Sequence, residues 1–196
     1  DLIKSAMNRA VFLDRDGTIN TEVGYLNHPD QVELIPRAGD AIRLLNEAGF
    51  KTVVVTNQAG IARGLLQEEL LPAIHQRLSA LLDQKKARID GYYYCPHHPE
   101  AAIEQYRIAC QCRKPFPGLI RTAAADLGID VARSWVIGDK SCDIELAHNV
   151  GAGAVMVMTG YGKTELALHE EAQRQPPHHI AADLYAAAQW ILRESR

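Results

Sequence analysis

The stretch AVFLDRDGTIN, residues 10–20, carries an apolar run straight into Asp14, Asp16 and Gly17. Carboxylates at i and i+2 leave an extended chain on the same side, and the glycine lets the backbone turn so that both face one small volume. Such a pair of anions repels unless a cation lies between them. A second corner of this kind occurs in SWVIGDKSCDIELA, residues 134–147, where Asp139 follows an apolar run and a glycine, and Asp143 comes about one helical turn later. Oxygen ligands converging from two strand ends suit Mg²⁺, which takes few carboxylates and completes its shell with water and substrate phosphate. Asp after a strand is also a frequent helix N-cap. Two apolar strands that both end in Asp, with a third ending in Thr56-Asn57-Gln58, make capping the minority explanation.

A second group of chemically capable residues lies in YYYCPHHPEAAIEQYRIACQCRKPFPGL, residues 92–119. Cys95, His97, Cys110 and Cys112 supply three thiolates and one imidazole, the donor set of a closed, tetrahedral, structural zinc site. The C-x-H and C-x-C spacings are tighter than the usual C-x2-C knuckle. Three buried free cysteines would leave unexplained why they bracket an irregular loop, and a redox pair at Cys110 and Cys112 lacks the C-x-x-C spacing. His98 points away from its neighbour His97 in an extended turn, and Cys142 is read as a small residue near a helix start.

These groups need a frame, and the sequence alternates short β-branched runs with amphipathic helical stretches, the pattern of a parallel sheet with helices on its faces. Strands are expected at Ala10–Leu13, Thr52–Thr56, Gly91–Tyr94, Trp135–Ile137 and Ala154–Met158. Helices are expected over AGDAIRLLNEAG, QEELLPAIHQRLSALLDQKK with Pro72 in its first turns, PGLIRTAAADLG, CDIELAHNVG and DLYAAAQWILRES. The long segment from Cys95 to Cys112 has neither period, and such loops are usually functional or externally stabilised. GYGKT, residues 160–164, lacks the first glycine of a phosphate-binding P-loop and reads as a surface turn; PPHH, residues 176–179, reads as a polar loop. The tyrosines at 92–94 are expected to pack one ring inward and leave the others at the edge.

With 196 residues, 47% of them hydrophobic, one domain spanning 1–196 with an insert at 95–112 is expected. A net charge of -3 gives no global attraction to nucleic acid or anionic membrane. No apolar run is long enough to span a bilayer, and the start DLIKSAMNRA lacks the layout of a signal peptide. The expectation is a cytoplasmic monomer that meets neither nucleic acid nor membrane, whose clustered cysteines serve metal.

At this point the chain resembles the haloacid dehalogenase-type phosphatases: DRDGT resembles their nucleophile motif, VVVTNQ the second, Lys114 in CRKP the third, and GDKSCD the fourth, in order from Val11 to Asp143. The resemblance implies a Rossmann-like doubly wound α/β fold with a zinc loop and no large cap domain. It also implies roles. Asp14 would be the nucleophile, forming an aspartyl-phosphate, and Asp16 the general acid and base. Mg²⁺ would be held by Asp14, the backbone carbonyl of Asp16, and Asp139. Thr56 and Asn57 would hydrogen-bond the phosphoryl oxygens, Lys114 would stabilise the transferring group, and Lys140 would support metal or phosphate. Asp143 would ligate through water or support Lys114.

The zinc loop placed just before Lys114 narrows the resemblance to the bacterial D-glycero-D-manno-heptose 1,7-bisphosphate 7-phosphatases and, less closely, the histidinol-phosphate phosphatases. Phe116-Pro117 and TNQAGIARG favour the former. A sugar bisphosphate needs a second anion site, for which the rigid fork of Arg113 is suited. The resemblance further implies substrate contacts from Glu22, Val23, Gly24, Tyr25, Gln58 and Ala59, with Arg63 either a contact or a surface ion-pair partner. The rival from another class is a zinc-dependent binding module in which the aspartates only cap helices; apart from Arg107, Arg113 and Lys114 the loop is not basic.

Overall fold

In the computed structural model, which describes residues 7–195, six strands form one parallel sheet: β1 Ala10–Leu13, β2 Lys51–Asn57, β3 Gly91–Cys95, β4 Trp135–Gly138, β5 Gly153–Val157 and β6 His179–Ala181. Their spatial order is β3-β2-β1-β4-β5-β6, so β1 sits between β2 and β4, with Val11 opposite both Thr52 and Trp135. Every side chain of β1 is fully buried. Strands covered on both faces need no polar alternation, which is why AVFL and TVVVT are continuous apolar runs.

Successive residues feed opposite layers. Val11, Leu13 and Val54 join one core with helices α1 (Ala38–Glu47), α3 (Leu71–Asp83) and α7 (Leu184–Glu194). Ala10, Phe12, Val53 and Val55 join the other with α4 (Gly118–Leu127) and α5 (Ser141–Val150). The remaining α-helices among the described residues are the single turn α2 (Ala59–Ala62) and α6 (Gly162–Glu171). No helix among the described residues is long and apolar enough to cross a membrane.

The five expected strands form at their expected places, within a residue or two of the anticipated ends. Three expectations change. GYGKT is not only a turn: α6 begins at Gly162, with Tyr161 at its N-cap. PPHH leads into a sixth strand, His179–Ala181, which adds to β5 through Val155, Met156 and Val157. The tyrosine run has no single inward ring, because all three are half-buried: Tyr92 and Tyr94 pack on one core and Tyr93 on the other.

The sheet's carboxyl edge collects the chemistry. Asp14 follows β1, Thr56 and Asn57 end β2, Cys95 ends β3, and Asp139 follows β4. In an open parallel sheet this edge, at the point where the strand order reverses, is where ligands bind.

Candidate active site

Carboxylate oxygens of Asp14, Asp139 and Asp143 lie within 4.8 Å of one another, and all three residues are buried. Into this group projects Lys114, whose Nζ is 2.9 Å from Asp14 Oδ1 and donates to Asp143 Oδ1 at 2.7 Å and to the Val55 carbonyl at 2.9 Å. Desolvation alone would lower the Lys114 pKa, but Asp14 and Asp143 outweigh it and keep the ammonium charged. Lys140 is held charged in the same way, against burial, by Asp14, Asp139, Asp143 and Glu22.

One Asp139 oxygen, Oδ2, accepts from the Tyr161 backbone N–H at 2.9 Å, whereas Oδ1 is buried without a partner. Burial and the carboxylates of Asp14 and Asp143 push the Asp139 pKa up to about 8. A buried oxygen without a donor, beside two further carboxylates, fits a hard divalent cation with oxygen ligands. Two glycines keep the corner tight. A Cβ at Gly17, where φ is +81°, would overlap the Asp139 carboxylate, and one at Gly138 would overlap that of Asp143.

The Asp16 side chain turns to a different set of partners. Its Oδ1 accepts from Asn20 Nδ2 at 3.0 Å and its Oδ2 from Gln58 Nε2 at 3.1 Å, and both oxygens face the Arg15 guanidinium. Burial would raise the Asp16 pKa, but Arg15, Asn20 and Gln58 together hold it below the usual carboxylate value. Gln58 also donates to Thr56 Oγ1 at 2.8 Å, tying the end of β2 to Asp16.

The loop from Cys95 to Cys112 brings its four donors together. Cys95 Sγ lies 3.0 Å from Cys112 Sγ and 3.6 Å from Cys110 Sγ, and His97 Nδ1 is 3.3 Å from Cys112 Sγ. All four donor atoms lie within 4.8 Å of one another, and three thiols with one imidazole are the donor set that suits zinc. None of the four cysteines is in a disulfide. His98 stands apart from the cluster: its Nδ1 accepts from the Glu100 N–H at 3.0 Å.

The same loop is fastened to the carboxyl edge of the sheet. The last of the four donors, Cys112, is followed by Arg113, which donates to the His97 carbonyl at 3.3 Å, and then by Lys114. The Asn57 side chain pairs twice with the Lys114 backbone, at 2.9 and 3.2 Å, so its amide holds that lysine in place. Tyr94 and Tyr106 both donate to the Glu68 carboxylate, at 2.8 and 2.6 Å, joining β3 to the loop.

Above this edge opens a cavity of about 350 Å³. Its walls include Asp16, Glu22, Gly24, Tyr25, Asn57, Gln58, Ala59, Arg113 and Lys140 from the expected contacts, together with Arg63 and Cys142. Val23 is not on the wall; its side chain is 49% exposed. Sequence reasoning missed His98 and Tyr161, which also line the cavity, and Arg15 and Asn20, which hold Asp16. Arg15 is the one with a signal in the sequence, since its charge lies beside two aspartates, one of which, Asp16, pairs with it. Lys140 Nζ sits 3.8 Å from Glu22 and 5.4 Å from the Tyr161 ring, and the Arg63 guanidinium lies 5.8 Å from the Tyr25 ring.

Comparison with known proteins finds relatives along most of the chain. Residues 111–187 match a family model described as HAD-hydrolase-like. The chain is 40% identical over 185 residues to a D-glycero-beta-D-manno-heptose-1,7-bisphosphate 7-phosphatase of Yersinia pestis, covering 93% of this chain and 89% of that one. It is 46% identical over 153 residues to the enzyme of the same name from Escherichia coli K12, covering 77% and 80%. Among solved structures, the D,D-heptose 1,7-bisphosphate phosphatase of B. bronchiseptica, complexed with magnesium and phosphate, superposes with a TM-score of 0.83 at 33% identity, covering 95% of this chain and 99% of that one.

Proposed function

The chain belongs to the haloacid dehalogenase-like heptose-bisphosphate phosphatases, and from that membership we propose that it removes the 7-phosphate of D-glycero-D-manno-heptose 1,7-bisphosphate, in the supply of activated heptose. The observation that supports this substrate is a second cationic group, Arg63 and Arg113, lining the same cavity as Asp16 and Lys140. A bisphosphate places one anion at Lys114 and Lys140 and needs a partner for the other. Histidinol phosphate has one phosphate and carries an ammonium group, which two further guanidiniums would repel.

Asp14 attacks phosphorus with a carboxylate oxygen, the bond to the sugar oxygen breaks, and Asp16 gives that oxygen its proton. Water then attacks the aspartyl-phosphate, its proton passes to Asp16, and phosphate leaves with Asp14 restored. Arg15, Asn20 and Gln58 favour the ionised Asp16 that this second step uses, and the first step uses its protonated form, which the negative charge of the incoming phosphate favours. Mg²⁺, when bound by Asp14, Asp139 and the Asp16 carbonyl, supplies the positive charge against which two anions can meet. Lys114 neutralises the equatorial phosphoryl oxygens, and Thr56 donates its hydroxyl to one of them. Asp143 and Asn57 keep Lys114 in place, and Arg113 receives the distal phosphate through its planar fork.

Zn²⁺, when bound by Cys95, His97, Cys110 and Cys112, fixes the loop that presents Arg113 and Lys114. Chelating zinc is expected to lower the thermal midpoint by several degrees, at about 2–4 °C per kcal/mol for a chain of this size, and to lower kcat/KM with it. Removing Mg²⁺ alone should stop turnover reversibly. Metal analysis finding no zinc in the reduced protein would refute the clamp.

The substrate assignment is tested by phosphate release from both anomers of the heptose bisphosphate, histidinol phosphate and a 3′-phosphorylated oligonucleotide. A heptose bisphosphate should lead in kcat/KM by at least about 10²-fold, the scale on which one charge-assisted, bidentate hydrogen-bonded pair acts. Histidinol phosphate in first place would overturn it.

A further inference from the structure

Arg15 stands between the two aspartates of DRDGT, yet only 1% of it is exposed, and it is the largest of the fully buried side chains. A guanidinium so placed is tolerated only when its donors are met. Here they are met asymmetrically. Nε and NH2 face the Asp16 carboxylate, at 3.3 Å to Oδ1 and at 3.2 and 3.0 Å to Oδ1 and Oδ2. NH2 also reaches Gln58 Oε1 at 3.2 Å, and NH1 reaches His75 Nε2 at 3.2 Å.

Guanidinium nitrogens only donate, so His75 Nε2 accepts, which makes the ring neutral with its proton on Nδ1. Burial and the neighbouring Arg15 charge push the His75 pKa down to about 3, in keeping with that tautomer. His75, in α3, stacks on Tyr92 with ring centres 4.4 Å apart and planes 15° apart. The Tyr92 hydroxyl in turn meets Ser79 Oγ at 2.7 Å. Helix α3 and strand β3 thus wedge the ring that backs the arginine, and the arginine meets both oxygens of the carboxylate, one shared with Asn20 and the other with Gln58.

We propose that Arg15, backed by His75, is a positioning residue that fixes the Asp16 carboxyl group for proton transfer to the leaving oxygen. The proposal rests on reading Asp16 as the proton donor. Without the guanidinium, Asp16 keeps two single-point contacts and can rotate about both of its side-chain bonds. A displacement of about 1 Å in such a group costs about 10²-fold in rate. Lysine cannot substitute fully, since one ammonium cannot span both carboxylate oxygens and reach His75 as well.

The test compares two esters by kcat/KM, which reports the steps up to phosphoryl transfer to the enzyme. A sugar or alkyl phosphate has a poor leaving group that needs the proton, whereas 4-nitrophenyl phosphate has one that does not. Arg15→Met should lower kcat/KM about 10²-fold on the alkyl ester, the low end of general-acid contributions, and less than about 3-fold on the nitrophenyl ester. Arg15→Lys should recover part of the alkyl loss. His75→Gln, whose amide oxygen can still accept from NH1, should stay near wild type, and His75→Leu should show a weaker form of the Arg15→Met pattern.

An equal loss on both esters in a protein of unchanged melting temperature, or no loss on either, would overturn the proposal and leave Arg15 a structural ion-pair partner. Should Arg15→Met fail to fold, His75→Leu carries the same comparison, and an unselective loss there has the same meaning. Asp16→Asn separates the two levels. If it retains wild-type kcat/KM on the alkyl ester, the reading of Asp16 fails. If it loses that activity while Arg15→Met shows no ester selectivity, only the positioning role fails.

Discussion

Asp14→Asn lowers phosphate release by at least about 10⁴-fold, the scale on which removal of a catalytic nucleophile acts, and leaves the melting temperature no lower than that of the parent. Asparagine has the shape of aspartate, and its amide oxygen can still accept from the Arg15 backbone N–H, as Asp14 Oδ1 does at 2.9 Å. That oxygen cannot form the acyl-phosphate bond. Stability is spared because three buried carboxylates, Asp14, Asp139 and Asp143, surround two ammonium groups, Lys114 and Lys140. Burial and the charge of Asp14 push the Asp139 pKa up to about 8 in the metal-free protein, so removing the Asp14 charge lets Asp139 ionise more readily and answer the two ammonium groups in its place. The measurement is phosphate release beside a thermal melt, both with and without Mg²⁺. Turnover retained within tenfold would remove Asp14 from the role of nucleophile, and with it the two-step mechanism.

Lys114→Met has the opposite profile, with loss of both activity and stability. The ammonium bridges Asp14 and Asp143 and meets the Val55 carbonyl in a position only 4% exposed. Methionine fills the same channel but leaves two buried carboxylates facing each other and the carbonyl without its donor. Breaking a buried pair from one side costs about 3–5 kcal/mol, or about 6–20 °C in melting temperature at this chain length. Turnover should fall about 10²–10³-fold, as when a single preorganised electrostatic donor is removed. Added Mg²⁺ should recover part of the stability and little of the rate. A melting temperature unchanged without Mg²⁺ would show that Lys114 is not the counter-ion of this cluster.

Much of this arrangement was legible in the residues themselves. An apolar run ending in Asp-x-Asp-Gly has few uses at the edge of a parallel sheet, and a Cys/His set around an aperiodic loop has few uses in any fold. Such signals are local, so they survive without coordinates. Strand His179–Ala181 escaped notice because it is three residues long, follows two prolines, and exposes its one large apolar side chain, Ile180, by 43%. Helix Gly162–Glu171 escaped because it buries only Gly162 and His169 and so has almost no apolar stripe to read. The support of Asp16 was beyond the sequence for another reason: His75 meets Arg15 across 60 residues, and no periodicity or spacing rule connects them. The double pairing of Asn57 with the Lys114 backbone spans 57 residues and is hidden in the same way.

The central position of β1 also bears on how the protein is made. Its partners begin at Lys51 and Trp135, so Asp14 is synthesised long before Asp139 and Lys114, and no contiguous fragment that omits either flank can assemble the charge cluster. Loop-closure entropy has to be met before these distant pairings return any stability, which makes such topologies slow to complete. Phosphate release during refolding should therefore appear no earlier than the phase that pairs β1 with β4. A chain emerging from the ribosome would acquire hydrolytic power only after Asp143 has docked.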